Sequence, residues 1–403
     1  MSDLPASAQP SPAPTRRRRR WLTRLALAIV IGVLLVHAAG SWYYSDRIYD
    51  GALRIDPWSW ERPFVVTSVD AAGHSITIDI SGTGDGSDQQ RDQLRSAGDY
   101  GLLWDGGFAR TSGRPLGDSA TSVQRTFELT SGVLPTRGAV VGVDSFAVPQ
   151  GISSPWEKVT FLAPLGSLTA AYLPASGSVW AVMVHGKGAA PDEQFRLAET
   201  THALGMPSLS ITYRGDAGAP GNPQGRYGFG ASEWPDLEAA VAYAAAHGAR
   251  GVVLAGASMG GGIIAAYLRH APDTHLVRAV VLDSPMLDLG RTVQWGADQV
   301  ALPGQVPLPA SITWGAKRLT SLRYGVDWAA VDYVDDPSWC RVPTLVLHGT
   351  ADLTVPVTSS REFARAVPSV RLVEFPGAGH VESWNADRPR FEAEVRAFLS
   401  PLL

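Results

Sequence analysis

Apolar runs of strand length alternate with helical patterns from residue 156 to the C-terminus. The runs are rich in β-branched residues, as buried strands are, and lie at 179–184, 252–254, 279–282, 344–349 and 370–375. Helical patterns separate them, at 192–204, 233–247, 261–270, 359–366 and 389–399. This alternation predicts an α/β fold with a doubly wound, mostly parallel sheet over residues 156–403.

Two segments depart from that alternation. Residues 45–155 contain short β-like runs, such as 64–69 and 75–80, between turn-rich spacers, which predicts a small β-rich accessory domain. This domain either packs against the larger one or partly covers its pocket, and we expect its polar stretch 82–95 to be a mobile loop. Residues 286–337, rich in Trp, Leu and Pro, predict a cap-like insertion that either lines an apolar pocket or packs as a surface excursion.

The N-terminal region combines a basic tail with an uncharged apolar run. Five arginines occupy positions 16–20, and residues 25–44 contain no Asp, Glu, Lys or Arg. Twenty helical residues extend about 30 Å, the thickness of a hydrocarbon core. We therefore expect residues 21–44 to form a single-pass transmembrane helix or signal anchor, with the tail 1–20 in the cytoplasm and the rest of the chain outside it. A cleaved signal peptide and a secreted protein are the alternative, because the small residues at 36–40 fit a cleavage site.

Charge and cysteine content narrow the classes of partner and chemistry. The net charge of −4 over 403 residues gives no reason to expect nucleic acid as a partner. Cys340 is the single cysteine, so an intrachain disulfide is excluded. Its place just before a predicted strand favours a structural thiol.

A G-x-S-x-G motif at residues 256–260, centred on Ser258, joins a predicted strand to a predicted helix. In this position the motif is the form of a nucleophile elbow, in which small residues allow a sharp turn that exposes the serine hydroxyl. A phosphate-binding loop would need Lys and then Ser or Thr after its last glycine, and Gly262 is followed by Ile263. The motif therefore predicts Ser258 as a nucleophile.

A serine nucleophile needs a base and a carboxylate that orients the base. Asp352 and His380 each follow a predicted strand further along the chain, so both are expected at the same edge of the sheet as Ser258. We predict these three as the catalytic residues. Asp283 also ends a predicted strand and is a second candidate for the acid.

An acyl-transfer site also needs N–H donors for an oxyanion. The backbone amide of Met259, directly after the serine, is one candidate. The second is the amide of Lys187, in the loop His185-Gly186-Lys187-Gly188 that follows a predicted strand. The Lys187 side chain itself is expected to face solvent.

With these motifs the chain resembles the α/β-hydrolase superfamily, and more narrowly its membrane-attached serine hydrolases related to prolyl-oligopeptidase-like peptidases and esterases. The resemblance covers about residues 156–403 and implies hydrolysis through an acyl-enzyme, without a metal or organic cofactor. The earlier residues lack propeller repeats, so prolyl-oligopeptidase specificity is not supported. The loop at 185–188 is not the His-Gly-Gly-Gly of many lipases, so a lipase assignment is not supported either.

The sequence therefore predicts a serine hydrolase of an ester, thioester or amide, acting on a small-molecule or peptide acyl substrate and attached to a membrane through its N-terminal helix. Two alternatives stay open. One is a peptidase acting on short peptides. The other is a catalytically idle, membrane-tethered binding or scaffold module with the same fold.

Overall fold

A computed structural model of the chain describes residues 16–55, 62–84, 87–144 and 154–403. The first fifteen residues of the predicted basic tail lie outside them. In chain order, the described residues form a long apolar helix, an antiparallel sheet, and a larger sheet flanked by helices.

The long helix, α1 (Arg16–Ile48), continues into a π-helical turn, Tyr49–Leu53. Within Arg20–Leu53, an 18-residue window has a mean hydropathy of 2.2, and none of it is buried. The helix is long and apolar enough to cross a membrane, a property that signal sequences share. The end of α1 and the π-helical turn differ from this window, because Ser45 in α1 and Leu53 in the turn are fully buried against the rest of the protein.

The region before residue 156 is β-rich, as expected. Its described residues form β1 (Phe64–Asp70), β2 (Ser75–Asp79), α2 (Ser87–Arg95), β3 (Tyr100–Trp104), β4 (Gly107–Thr111), β5 (Gly117–Asp118), β6 (Ser122–Thr126), β7 (Glu128–Gly132) and β8 (Val140–Asp144). The strands pair antiparallel in the order β5-β6-β2-β1-β8-β3-β4-β7. Alternate residues, such as Phe64 and Val66 of β1, are buried in a core of their own.

The expectation of a mobile loop at 82–95 was wrong for the part that α2 occupies. Leu94 is fully buried in the core of the first sheet, and Arg91 donates to the carbonyl oxygens of Ile80 and Gly82 at 2.9 and 2.8 Å. A single buried leucine in a polar stretch leaves no hydrophobic periodicity for the sequence to reveal.

The second half of the chain forms the larger sheet. Its strands, with a small hairpin between the sixth and the seventh, are β9 (Glu157–Ala163), β10 (Gly166–Leu173), β11 (Val179–Val184), β12 (Ser208–Ile211), β13 (Gly251–Ala257), β14 (Val277–Asp283), the hairpin β15 (Ala301–Leu302) and β16 (Val306–Pro307), β17 (Thr344–Gly349) and β18 (Val370–Phe375). The order in the sheet is β18-β17-β14-β13-β11-β12-β10-β9, parallel from β18 to β12 and antiparallel at β10 and β9. The predicted mostly parallel α/β sheet is confirmed.

Helices cover both faces of this sheet. The helices of this half of the chain are α3 (Phe195–Ala203), α4 (Trp234–Ala246), α5 (Met259–His270), α6 (Leu289–Asp298), α7 (Ala310–Tyr324), α8 (Val357–Ala366), α9 (Ser383–Ala386) and α10 (Arg388–Leu399), of which α6 and α7 belong to the segment 286–337. Every residue of β13 and of β17 is buried, which explains why these strands are continuous apolar runs. Val182 and Met183 of β11 point into different core clusters, one on each face.

The first sheet and the larger one meet near the loop that follows β18. Gln93 Nε2 donates to Glu382 Oε1 at 2.8 Å, and Asn385 Nδ2 donates to the carbonyl oxygen of Asp99 at 2.7 Å. The β-rich region thus packs against the larger sheet at this loop.

Candidate active site

Ser258 lies in the sharp turn between β13 and α5. Its φ of 48° is a left-handed conformation that residues other than glycine rarely adopt. A Cβ on Gly256 would lie 2.7 Å from the carbonyl carbon of Gly260, and a Cβ on Gly260 would lie 2.2 Å from the carbonyl oxygen of Val184. Close backbone contacts therefore require both glycines of the motif.

Gly260→Ala is expected to destabilise the protein by about 1–3 kcal/mol or more, because the backbone of β11 must move to admit the methyl group. Thermal unfolding followed by circular dichroism would measure the loss as a lower Tm. Gly221→Ala is the control, since a Cβ at that exposed position meets no atom within 4 Å. Equal melting temperatures for the two variants would contradict the steric account of the motif.

Ser258, His380 and Asp352 form a continuous line of close polar contacts. Ser258 Oγ lies 2.9 Å from His380 Nε2, and His380 Nδ1 lies 2.7 Å from Asp352 Oδ2. The three residues follow β13, β18 and β17, whose carboxyl ends share one edge of the parallel sheet. The structure brings these three predicted residues together.

Asp352 is buried, and its carboxylate accepts several hydrogen bonds. The backbone N–H groups of Thr354 and Val355 each donate to Oδ1 at 2.8 Å, and His348 Nε2 lies 3.2 Å from Oδ2. Burial alone would raise the pKa of Asp352, but hydrogen bonds from His348 and His380 hold it well below its usual range. Asp352 is therefore ionised at neutral pH.

The ionised Asp352 controls the state of His380. Burial of the ring opposes protonation, yet the hydrogen bond and the charge of Asp352 raise the pKa of His380 above its usual value. In the neutral ring, Nδ1 donates its proton to Asp352, which leaves Nε2 as an acceptor for the Ser258 hydroxyl.

The carboxylate of Asp283, the alternative acid, has other neighbours, while His380 Nδ1 lies 2.7 Å from Asp352 Oδ2. Its backbone carbonyl accepts the N–H of Ser258 at 3.0 Å, and its carboxylate lies 3.5 Å from Ser284 Oγ. Burial raises the pKa of Asp283, so its charged form is disfavoured. His380 Nδ1 contacts Asp352 and His380 Nε2 contacts Ser258, so both ring nitrogens are engaged, and Asp283 supports the turn through its backbone carbonyl.

The loop after β11 is fixed by buried charged groups. The N–H of Gly186 donates to Glu193 Oε2 at 2.6 Å, and His185 Nε2 lies 2.9 Å from Asp216 Oδ2. Burial opposes protonation of His185, but Asp216 raises its pKa to about 8. The loop lies directly against the serine, since a Cβ on Gly186 would be 3.2 Å from Ser258 Cβ.

The two residues predicted to supply oxyanion amides directly follow the two residues of this contact, Lys187 after Gly186 and Met259 after Ser258. Met259 is fully buried at the first position of α5, and Lys187 lines the same cavity as Ser258. The expectation that the Lys187 side chain faces solvent was wrong, because it is half-buried with Nζ 5.7 Å from the centre of the Tyr227 ring. A contact between a cation and an aromatic ring offsets the loss of water.

A cavity of about 530 Å³ opens beside Ser258 and His380. This volume lies within the range of about 300–1,000 Å³ that is typical of small-molecule sites. Its other walls are mostly apolar and come from α6, α7, the segment 353–355 and the end of α1. The segment 286–337 thus lines the cavity, whereas none of the residues described between 62 and 144 does.

Three parts of the site are missing from the sequence-based prediction. Glu193 holds the loop after β11, His348 contacts Asp352, and the end of α1 forms a wall of the cavity. The spacing of His348, four residues before Asp352, was a weak signal, and nothing local marks the other two. Among the described residues, no group of three or more His, Cys, Asp or Glu side chains is arranged to hold a metal ion.

A sequence model of the alpha/beta hydrolase family matches residues 173–395. This span is more than half of the chain, and it contains the turn of Ser258 and the loops of Asp352 and His380. The protein belongs to the alpha/beta hydrolase family and is a hydrolase.

Three solved esterase structures are similar to part of this chain. The esterase Pf2001 of Pyrococcus furiosus is 19% identical, with a TM-score of 0.49 over 63% of this chain and 95% of the esterase. The esterase RhEst1 of Rhodococcus sp. ECU1013 is 21% identical, with a TM-score of 0.45 over 61% and 99%. A thermophilic esterase from Thermogutta terrifontis is 19% identical, with a TM-score of 0.43 over 62% and 99%.

Proposed function

We propose that the protein is a serine hydrolase that cleaves an ester, thioester or amide through an acyl-enzyme, with Ser258 as nucleophile, His380 as base and Asp352 as the orienting acid. The observation that carries this proposal is the pair of contacts, 2.9 Å from Ser258 to His380 and 2.7 Å from His380 to Asp352. A serine hydroxyl without a base is a poor nucleophile, and this arrangement supplies the base in the right tautomer.

In the proposed mechanism, Ser258 Oγ attacks the acyl carbonyl carbon while His380 Nε2 takes its proton. The backbone N–H groups of Met259 and Lys187 stabilise the resulting oxyanion. The imidazolium, held by Asp352, then gives the proton to the leaving alcohol, thiol or amine. A water molecule, deprotonated by His380, cleaves the acyl-enzyme and restores Ser258.

The backbone at Ser258 weighs against the idle scaffold. A serine with φ of 48° stores conformational strain, and proteins keep such strain mainly where a functional group must be aimed. Labelling with a fluorophosphonate probe tests for an activated serine. Rates on p-nitrophenyl esters and on aminoacyl amides then separate an esterase from a peptidase.

We also propose that α1 anchors the enzyme in a membrane, with the preceding residues in the cytoplasm and the hydrolase outside. Five arginines stand at positions 16–20, on the N-terminal side of the uncharged run. Trp42 and Tyr43 are 53% and 57% exposed at the other end, where aromatic side chains favour the membrane interface. The alternative, a cleaved signal, would release the protein from the membrane.

Single added cysteines would measure this orientation. We expect a membrane-impermeant maleimide to label the Leu162→Cys variant in intact spheroplasts and the Ser2→Cys variant only after lysis. Leu162 is 78% exposed, whereas the native Cys340 is 7% exposed and gives little background. Labelling of Ser2→Cys before lysis would show the opposite orientation. A mature secreted chain that lacks residue 2 would establish cleavage.

A further inference from the structure

The cavity beside Ser258 is built partly from the anchor helix. Tyr44, Ile48 and Ala52 line it from positions four residues apart, which places them on one face of the helix and its following turn. Arg47 and Gly51 also line it. The last turns of α1 are therefore a wall of the substrate site.

This wall is fixed to the helix α7 that faces it. Thr320 Oγ1 donates to Ser45 Oγ at 3.1 Å, and Arg323 Nη2 donates to Asp46 Oδ1 at 2.6 Å. The rings of Tyr49 and Tyr324 stack with centres 4.3 Å apart. Because α1 and α7 are joined in this way, the position of α1 in a membrane sets the position of the cavity.

The cavity begins where the uncharged part of α1 ends. The run without charged residues that starts at Leu25 ends at Ser45, and Tyr44, directly before that end, is the first residue of α1 that lines the cavity. The N-terminal end of α7 lies one turn before it, since Ser41 Oγ donates to the carbonyl oxygen of Ile312 at 3.3 Å. One helical turn is about 5 Å, so with α1 as the proposed membrane anchor the start of α7 and the cavity would both lie at the outer boundary of the hydrocarbon core.

The chain at this boundary is itself free of charge. No Asp, Glu, Lys or Arg occurs between Asp298 and Lys317, a segment that contains the hairpin β15–β16 and the start of α7. We call residues 299–316 the lip. Its members Val300, Leu308 and Thr313 line the cavity. Two others face outward, Val306 with 52% and Trp314 with 64% of its surface exposed.

We propose that the substrate is an acyl lipid of the membrane that holds α1, and that its acyl chain enters the cavity past the lip. This inference rests on the proposed function of Ser258. The lipid supplies an ester whose acyl carbon bonds to Ser258 Oγ while its C–O bond breaks, and the lyso-lipid alcohol leaves with the proton from His380. Water then releases the fatty acid. The exposed apolar side chains of the lip lie against the lipid surface, and the apolar cavity takes the chain.

The loop at 185–188 does not conflict with this substrate. The sequence gives no support for a lipase there because the loop departs from His-Gly-Gly-Gly, but the donors that it offers are backbone amides. Those amides contact the carbonyl oxygen of the ester, whatever the length of its acyl chain. The walls of the cavity determine the chain, and they are mostly apolar.

The test uses the full-length protein reconstituted in vesicles of dioleoyl phosphatidylethanolamine and dioleoyl phosphatidylglycerol, with release of oleic acid as the readout. We expect lipid in the same vesicle as the enzyme to be hydrolysed at least tenfold faster than labelled lipid in separately added vesicles. Fluorophosphonate labelling and p-nitrophenyl butyrate hydrolysis, measured in parallel, report the reactivity of Ser258 without a lipid.

Two variants of α7 test the lip. Trp314→Asp is expected to lower the ratio of oleate release to butyrate hydrolysis at least tenfold, because a charge at that position opposes contact with lipid. Leu322→Asp is the matched control on the same helix, 83% exposed and about 12 Å further along its axis. Its ratio is expected to equal that of the wild type. Fluorophosphonate labelling of each variant shows that its site has folded.

A third variant tests the cavity without a membrane. Gly51 lines the cavity and a Cβ there meets no atom within 4 Å, so Gly51→Leu adds a bulky side chain at the cavity wall and is expected to shift preference from palmitoyl to butyryl esters in detergent. Gly32→Leu is the control, since Gly32 has the same open surroundings on α1 but lies outside the cavity. An unchanged preference in Gly51→Leu would overturn the assignment of this cavity to the acyl chain.

The outcomes separate this inference from the proposed function. Labelling and butyrate hydrolysis without oleate release would overturn the lipid substrate and leave the serine hydrolase intact. Equal hydrolysis in the same and in separate vesicles would overturn entry from the membrane that holds α1. A folded protein with neither labelling nor butyrate hydrolysis would overturn both.

Discussion

Ser258→Ala is expected to abolish fluorophosphonate labelling and to lower kcat for an ester by a factor on the order of 10⁶, as removal of a catalytic serine does elsewhere. The Ser258 hydroxyl is the group that His380 Nε2 contacts at 2.9 Å, and alanine removes it while keeping the Cβ of the turn. The fold and the Tm are therefore expected to stay close to those of the wild type.

Ser284→Ala is the matched control for this experiment. Ser284 also has a left-handed backbone, with φ of 45°, but its Oγ accepts the N–H of Val381 at 3.1 Å. Its loss is expected to slow the reaction by loosening the loop of His380, with labelling retained at Ser258. Labelling that survives in Ser258→Ala and disappears in Ser284→Ala would show that the nucleophile has been misassigned.

The sequence predicted the larger sheet because burial on both faces leaves a local signal. Strands such as β13 and β17 are continuous apolar runs, and the helices between them carry their own periodicity. The turn at Ser258 could also be predicted from the sequence, because both glycines of its motif are required by close backbone contacts. One contact is between Gly256 and Gly260, within the motif, and the other is between Gly260 and β11. The catalytic roles of Ser258, Asp352 and His380 stay predictions, and the structure adds the distances between their side chains.

The wall that α1 contributes was not visible, because it depends on contacts between residues far apart in the chain. The pairs Ser45–Thr320 and Asp46–Arg323 join segments that the sequence assigns to different tasks, an anchor and a cap. Composition identified the apolar part of α1 and gave no sign that its last turns enter the catalytic half. A shortened protein that begins at residue 45 lacks Tyr44 and has an altered cavity, so substrate profiles require the full chain.

The second large effect concerns Asp352. Asp352→Asn is expected to lower kcat by about 10⁴-fold, because an amide cannot hold His380 in the tautomer that leaves Nε2 as acceptor. The pH profile is expected to move as well. His380 accepts the Ser258 proton only when neutral, and its raised pKa places the rise of wild-type kcat/KM above the usual histidine value of about 6.5. Without the charge of Asp352, burial of the ring still opposes protonation, so the rise is expected at lower pH.

Asp283→Asn is the control that decides between the two acids, and kcat/KM from pH 5 to 9 on p-nitrophenyl butyrate is the measurement. Burial raises the pKa of Asp283, and His380 Nδ1 contacts Asp352 instead, so an amide at position 283 is expected to change the site little. We expect less than a tenfold loss and an unmoved pH midpoint. A large loss and a shifted midpoint in Asp283→Asn, with Asp352→Asn near the wild type, would transfer the orienting role to Asp283, at the end of β14. That outcome is hard to reconcile with a His380 ring whose Nδ1 lies 2.7 Å from Asp352, because one nitrogen cannot donate its single proton in both directions.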